Sequence, residues 1–193
     1  MIHLVDDDEA VTNSCCFLLE SQGYVVKCWN QSEQFLREAP LASVGIALLD
    51  MRMPGIDGHE LFRLMREENS SLAVIFLTGH GDVPMAVKEI QCGAVDFLEK
   101  PIAATVLQLA IKKGYEHSAS LAITNDLRKR FIKLTPKEKT VAQLVYSGLL
   151  NKDIAEQMNI ALRTVEVHRS RVMEKMGVHN FADFLRRMSI IKE

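Results

Sequence analysis

Five short apolar runs recur through the first 117 residues, and each is followed by a stretch with helical spacing. The runs are Ile2-His3-Leu4-Val5-Asp6, Val25-Val26-Lys27-Cys28-Trp29, Ile46-Ala47-Leu48-Leu49-Asp50, Leu72 to Leu77 and Val95-Asp96-Phe97-Leu98. They are β-branched-rich and too short for stable helices, so they read as strands. Between them, Glu9 to Ser21, Glu33 to Glu38, Asp57 to about Glu68 and Asp82 to Gln91 read as helices, and Thr105 to about Ser118 closes the series. Asp8 and Asp57 stand where helix caps are needed, and Asp57-Gly58-His59-Glu60 has the spacing of a capping box. Such alternation leaves few folds open. Parallel strands need crossover helices, and right-handed crossovers put helices on both faces of the sheet. The expected class is therefore α/β, a doubly wound five-stranded parallel sheet over residues 1–117.

The rest of the chain lacks strand patterning. Residues 118–133 read as a helical linker, and 134–193 as a small all-α domain of four short helices. Thr135-Pro136-Lys137-Glu138 combines a capping box with proline at the first helical position. Asn151 is placed to cap a helix through Met158. A third helix runs from about Leu162 to Met176 and stops at Gly177, and a fourth covers Phe181 to about Ser189. The division extends to charge. The whole chain carries −2, but residues 1–117 carry −8 and residues 118–193 carry +6, so near-neutrality does not exclude nucleic acid. A composition of 48% hydrophobic and 25% charged residues excludes intrinsic disorder. No run approaches the ~20 apolar residues of a membrane span, and the first residues lack the basic start of a secretory signal. The four cysteines show no CxxC spacing and read as mostly buried, reduced thiols of a cytoplasmic protein.

In an open parallel sheet, sites form beyond the carboxyl ends of the strands. Asp6 ends the first strand with Asp7 beside it, and Asp50 ends the third. Carboxylates gathered there repel each other unless a hard cation such as Mg²⁺ lies among them. Thr78 at the end of the fourth strand offers a hydroxyl, and Lys100 after the fifth offers a fixed positive charge. Taken singly, each has an ordinary reading: a helix cap, a loop start, a turn before Pro101. Together they suit a phosphoryl group, whose oxygens the metal and the lysine neutralise.

Val5-Asp6-Asp7-Asp8, Leu49-Asp50-Met51-Arg52-Met53-Pro54, Leu77-Thr78-Gly79-His80-Gly81-Asp82 and Phe97-Leu98-Glu99-Lys100-Pro101 resemble the receiver domain of bacterial response regulators, a flavodoxin-like fold. The resemblance implies Asp50 as phospho-acceptor, with Asp6, Asp7, Asp50 and the Arg52 main-chain carbonyl as Mg²⁺ ligands. It implies Thr78 and Phe97 as the switch pair, Lys100 as the charge partner, and a cis peptide before Pro101.

In the basic half, Val165, Val172 and Met176 share one side of the third helix, while Arg163, Glu166, Arg169 and Ser170 fall away from it. That is either a solvated face or the reading face of a helix-turn-helix. Leu134-Thr135, Glu138, Gly148-Leu149, Asn151-Lys152, Ile154-Ala155, Thr164-Val165, Val167-His168-Arg169 and Lys175-Met176 resemble the LuxR-type DNA-binding domain. The whole chain thus resembles a NarL/FixJ-family regulator, with its FixJ branch especially close. The resemblance directs Glu166, Val167 and Ser170 to bases, and Lys152, Thr164, His168, Arg169 and Arg171 to the DNA backbone. Ala161 departs from the family, which has a capping serine there; the lost cap costs about 1 kcal/mol.

The reading that follows is a cytoplasmic, non-enzymatic switch, apart from Mg²⁺-dependent self-phosphorylation and slow self-dephosphorylation. Its partners are a sensor histidine kinase, double-stranded promoter DNA, a second copy on phosphorylation, and RNA polymerase, with no membrane. A phosphatase using Asp50 as nucleophile is one alternative, but Arg52 stands where its general acid belongs. A protein-interaction module without DNA binding is the other.

Overall fold

The structure is a computed structural model describing residues 1–79 and 83–192. It divides into two compact units, Met1–Ala122 and Ile123–Glu193.

In the first unit, β1 (Ile2–Val5), β2 (Val26–Trp29), β3 (Ile46–Asp50), β4 (Ala73–Thr78) and β5 (Asp96–Glu99) form one sheet in the order β2-β1-β3-β4-β5, every neighbouring pair parallel. The helices are α1 (Glu9–Ser21), α2 (Ser32–Glu38), α3 (Gly58–Glu67), α4 (Val83–Gln91) and α5 (Ala104–Ile132), whose residues from Ile123 on fall in the second unit. The expected start of the fourth helix at Asp82 lies outside the described residues. Asp8 caps α1 by accepting from the amides of Ala10 and Val11, and Asp57 caps α3 by accepting from Glu60. The sheet separates two cores. One gathers Trp29, Phe35, Leu49, Phe62 and Phe76, and the other gathers Leu4, Leu19, Leu48, Ile75 and Ile111. β4 is buried at every position, as its unbroken apolar run requires.

In the first unit two expectations need correction. The helix expected to close at Ser118 is part of the 29-residue α5 and continues to Ile132; no glycine or proline lies between Tyr115 and Ile132 to stop it. The cysteines are free, but Cys15, Cys16 and Cys28 are half-buried and Cys92 is exposed. Cys28 lies on the edge strand β2, which the sheet covers on one side alone.

The second unit packs α6 (Pro136–Tyr146), α7 (Asn151–Met158), α8 (Leu162–Met176) and α9 (Phe181–Lys192) around Val141, Val145, Ile154, Val165, Val172, Met176 and Phe184. The Thr135 capping box forms as expected, with Pro136 in the first turn. Asn151 is not the cap of α7. Leu150 holds that position without a capping side chain, and Asp153 accepts from the Leu150 amide instead. Gly177 ends α8 at φ 66°, a left-handed conformation that suits glycine.

Candidate functional site

Strand register builds the first site. Val5 pairs with Leu49, so the next residues, Asp6 and Asp50, come level at one sheet edge. Asp50 pairs with Leu77 and Thr78 with Glu99, which brings Thr78 and Lys100 to the same edge. The peptide before Pro101 is cis. The Lys100 ammonium donates to Asp6 Oδ2 at 2.6 Å and also to Asp50 Oδ1. The remaining Asp50 oxygen accepts from the Arg52 amide at 2.7 Å. Asp6 is 1% exposed and Asp50 8%, so burial pushes the Asp6 carboxyl up while the lysine pulls against it. Burial also opposes the Lys100 charge, but the two carboxylates outweigh it and hold its pKa above the ordinary lysine value. The loop after Asp50 folds back tightly. A Cβ on Gly58 would run into the Asp50 carbonyl oxygen, so α3 starts on a residue without a side chain.

Thr78 is buried at the strand end, and Phe97 is half-buried with its ring 6.0 Å from that of Phe76. Asp7 and Arg52 are exposed. Among the described residues no three acids, histidines or cysteines gather in metal-binding geometry. Asp6 and Asp50 do lie within reach of one cation, because the lysine ammonium spans both. Their carboxylate oxygens are hard ligands of the kind Mg²⁺ takes.

In the second unit, Val165, Val172 and Met176 are buried as expected, while Thr164, Glu166, Val167, Ser170 and Arg171 on α8 and Lys152 on α7 are exposed. His168 and Arg169 are half-buried. Arg169 does not belong to a purely solvated face, since its guanidinium donates to Asn151. Ala161 leads α8 without a side-chain cap, as expected. Two long-range contacts had no sequence signal. Glu138 is 2% exposed and accepts from Lys175 Nζ at 2.7 Å, which holds its carboxyl down at about 2. His59 Nδ1 lies 2.7 Å from Glu89, joining α3 to α4.

The family of the response regulator receiver domain matches residues 2–112, and the luxR family of bacterial regulatory proteins matches residues 133–188. The chain is a response regulator. Its relatives include the tetrathionate response regulatory protein TtrR of Salmonella typhimurium, 53% identical over 96% of this chain and 90% of that protein. The transcriptional regulatory protein FixJ of Rhizobium meliloti is 42% identical over 96% and 93%. Among solved structures, the response regulator StyR aligns with a TM-score of 0.66 at 35% identity, covering 97% of each chain. Full-length FixJ from B. japonicum aligns at 0.58 and 37%, covering 99% of this chain and 96% of that one. A response regulator with these two domains is a transcriptional regulator of a two-component system, and the domains imply a histidine kinase and DNA as partners. No helix among the described residues is long and apolar enough to cross a membrane.

Proposed function

We propose that Asp50 accepts a phosphoryl group from a sensor histidine kinase and that the phosphorylated protein dimerises on promoter DNA. The reading rests on one observation, the convergence of Asp6, Asp50 and Lys100 at one edge of the sheet. Of the two acids, Asp50 is the less buried, and a phosphodonor must reach the acceptor from outside. An Asp50 carboxylate oxygen attacks the phosphorus of the phosphohistidine, the P–N bond breaks, and the imidazole leaves. Lys100 then turns its charge to the phosphoryl oxygens, the Thr78 hydroxyl donates to one of them, and Phe97 follows inward. Asp6, Asp7, Asp50 and the Arg52 main-chain carbonyl would hold Mg²⁺, which when bound neutralises phosphoryl oxygens. The same site supports slow self-phosphorylation from small donors and slow self-dephosphorylation.

We assign phosphorylation to residues 1–117, a helical link to 118–133, and DNA binding to 134–193. Glu166, Val167 and Ser170 meet bases; Lys152, Thr164, His168 and Arg171 meet the backbone, to which the resemblance also directs Arg169. The exposure of α8 beside Lys152 supports this assignment. The protein acts in the cytoplasm with RNA polymerase as a further partner. The 53% identity to TtrR supports tetrathionate as the signal sensed by the partner kinase.

Incubation with acetyl phosphate and Mg²⁺ tests the acceptor. Base-labile acyl phosphate is expected on the wild-type chain and its loss in Asp50→Asn; undiminished labelling in that variant sinks the assignment. A promoter reporter that responds to tetrathionate only with Asp50 intact supports the signal, and one that ignores tetrathionate removes it.

A further inference from the structure

Arg169 is set apart from its basic neighbours. The side chains of Lys152 and Arg171 are exposed and form no hydrogen bond or ion pair among the described residues. Arg163 is exposed and pairs with Glu166 within the same helix. The Arg169 guanidinium is engaged across two helix boundaries. Its Nη1 donates to Asn151 Oδ1 at 2.8 Å, and its central carbon lies 5.5 Å from the centre of the Phe181 ring. Asn151 is the first residue of α7 and Phe181 the first of α9. The Asn151 oxygen is available because α7 does not use it as a cap. A planar guanidinium can lie against an aromatic ring and still donate along its edge, which a lysine ammonium cannot do in the same way.

We propose that Arg169 is a positioning residue and not a phosphate contact. It ties the start of α7, which carries Lys152, and the start of α9 to the recognition helix α8. A guanidinium already bonded and half-buried gives up those contacts if it turns to a phosphate, whereas Lys152 and Arg171 give up nothing. The inference rests on the reading of α8 as the DNA-facing helix, but its central contact exists without DNA.

Binding of the full chain to a random-sequence duplex over a range of NaCl concentrations tests it. Each phosphate contact adds about 0.9 to the slope of log affinity against log salt. Lys152→Ala should therefore flatten the slope by about that amount. Arg169→Ala and Asn151→Ala should each weaken binding about three- to tenfold with the slope unchanged, and the double variant should bind no more weakly than either single one. Arg169→Lys should recover little. A slope flattened by Arg169→Ala, wild-type binding by Asn151→Ala, or full recovery by Arg169→Lys overturns the proposal. Amide hydrogen exchange over Ala155 to Met158 in the free protein provides a readout independent of DNA. Faster exchange in both alanine variants supports the tie, and unchanged exchange overturns it. Absence of wild-type binding would instead count against DNA recognition itself. Should Arg169→Ala unfold the helical unit by circular dichroism, Asn151→Ala carries the same comparison.

Discussion

In residues 1–122 the candidate phosphoryl-site charges Asp6 and Asp50 lie inside, buried and sharing the Lys100 ammonium. In residues 123–193 the candidate binding charges lie outside, on Lys152, Glu166 and Arg171, with Arg169 drawn part-way in. Chemistry and recognition require these opposite arrangements. Phosphoryl transfer gains from charges held where water screens them least. DNA binding gains from cations that stay hydrated until a phosphate replaces the water and releases counterions. The helical unit also contains one buried charge, Glu138, but there it joins α6 to α8 and serves the fold.

Packing provides the largest test of the comparison. Phe76 and Phe184 are both fully buried, one in each unit. Phe76→Ala should cost the receiver about 3–5 kcal/mol, and Phe184→Ala the helical unit a similar amount. Urea unfolding followed by Trp29 fluorescence, which reports the receiver alone, should register the first strongly. An equal response to both would erase the distinction between the units.

Acid should separate the units next. His3 is buried and its Nδ1 accepts from Trp29 Nε1 at 3.2 Å. Burial lowers its pKa from 6.5 to about 4. The unfolded chain then binds more protons than the folded one between those values. This contribution is complete above pH 6.5 and is lost as pH falls towards 4, up to about 3 kcal/mol of receiver stability. Trp29, the one tryptophan in the sequence, reports the protonation directly. A receiver whose stability is flat from pH 7 to 4 would contradict it.

Glu138 responds to acid in the same direction, but over a lower pH range. Its hydrogen bond from Lys175 and the Thr135 amide hold its pKa near 2. The stability it contributes is present above its ordinary value of 4.5 and is lost as pH falls through about 2, on the order of 2 kcal/mol. Glu138→Gln should remove most of that at neutral pH and flatten the acid limb of the helical unit, measured by helical circular dichroism.

The smallest effect is a gain. Ala161→Ser would supply the oxygen that the start of α8 lacks, raising helical-unit stability by about 0.5–1 kcal/mol. No change in melting temperature would mean that the α8 amides are already satisfied.

Much of this protein was legible in order. Hydrophobic period separated the α/β half from the all-α half, since strands and helices repeat differently and each run is local. Caps at Asp8, Asp57 and Thr135 were legible because a cap acts within four residues. The acids at strand ends pointed to one edge because parallel register aligns them. Boundaries that depend on continuation were less legible: α5 runs on to Ile132 although its sequence there is polar and weakly periodic. Asn151 shows the same limit on a single side chain. Its position suits a cap, but its oxygen is taken by Arg169, eighteen residues away.

By itself, then, the sequence determined the two fold classes, the strand ends that carry acid, hydroxyl and ammonium, and the charge division of −8 against +6. These follow from periodicity and residue chemistry, which neighbours along the chain settle. The tertiary structure alone decided that Lys100 spans Asp6 and Asp50 while Asp7 stays exposed, that Lys175 holds Glu138, and that Arg169 is tied to Asn151 and Phe181. Each is a contact between distant segments, formed only when packing brings them together and burial makes an unpaired polar group costly.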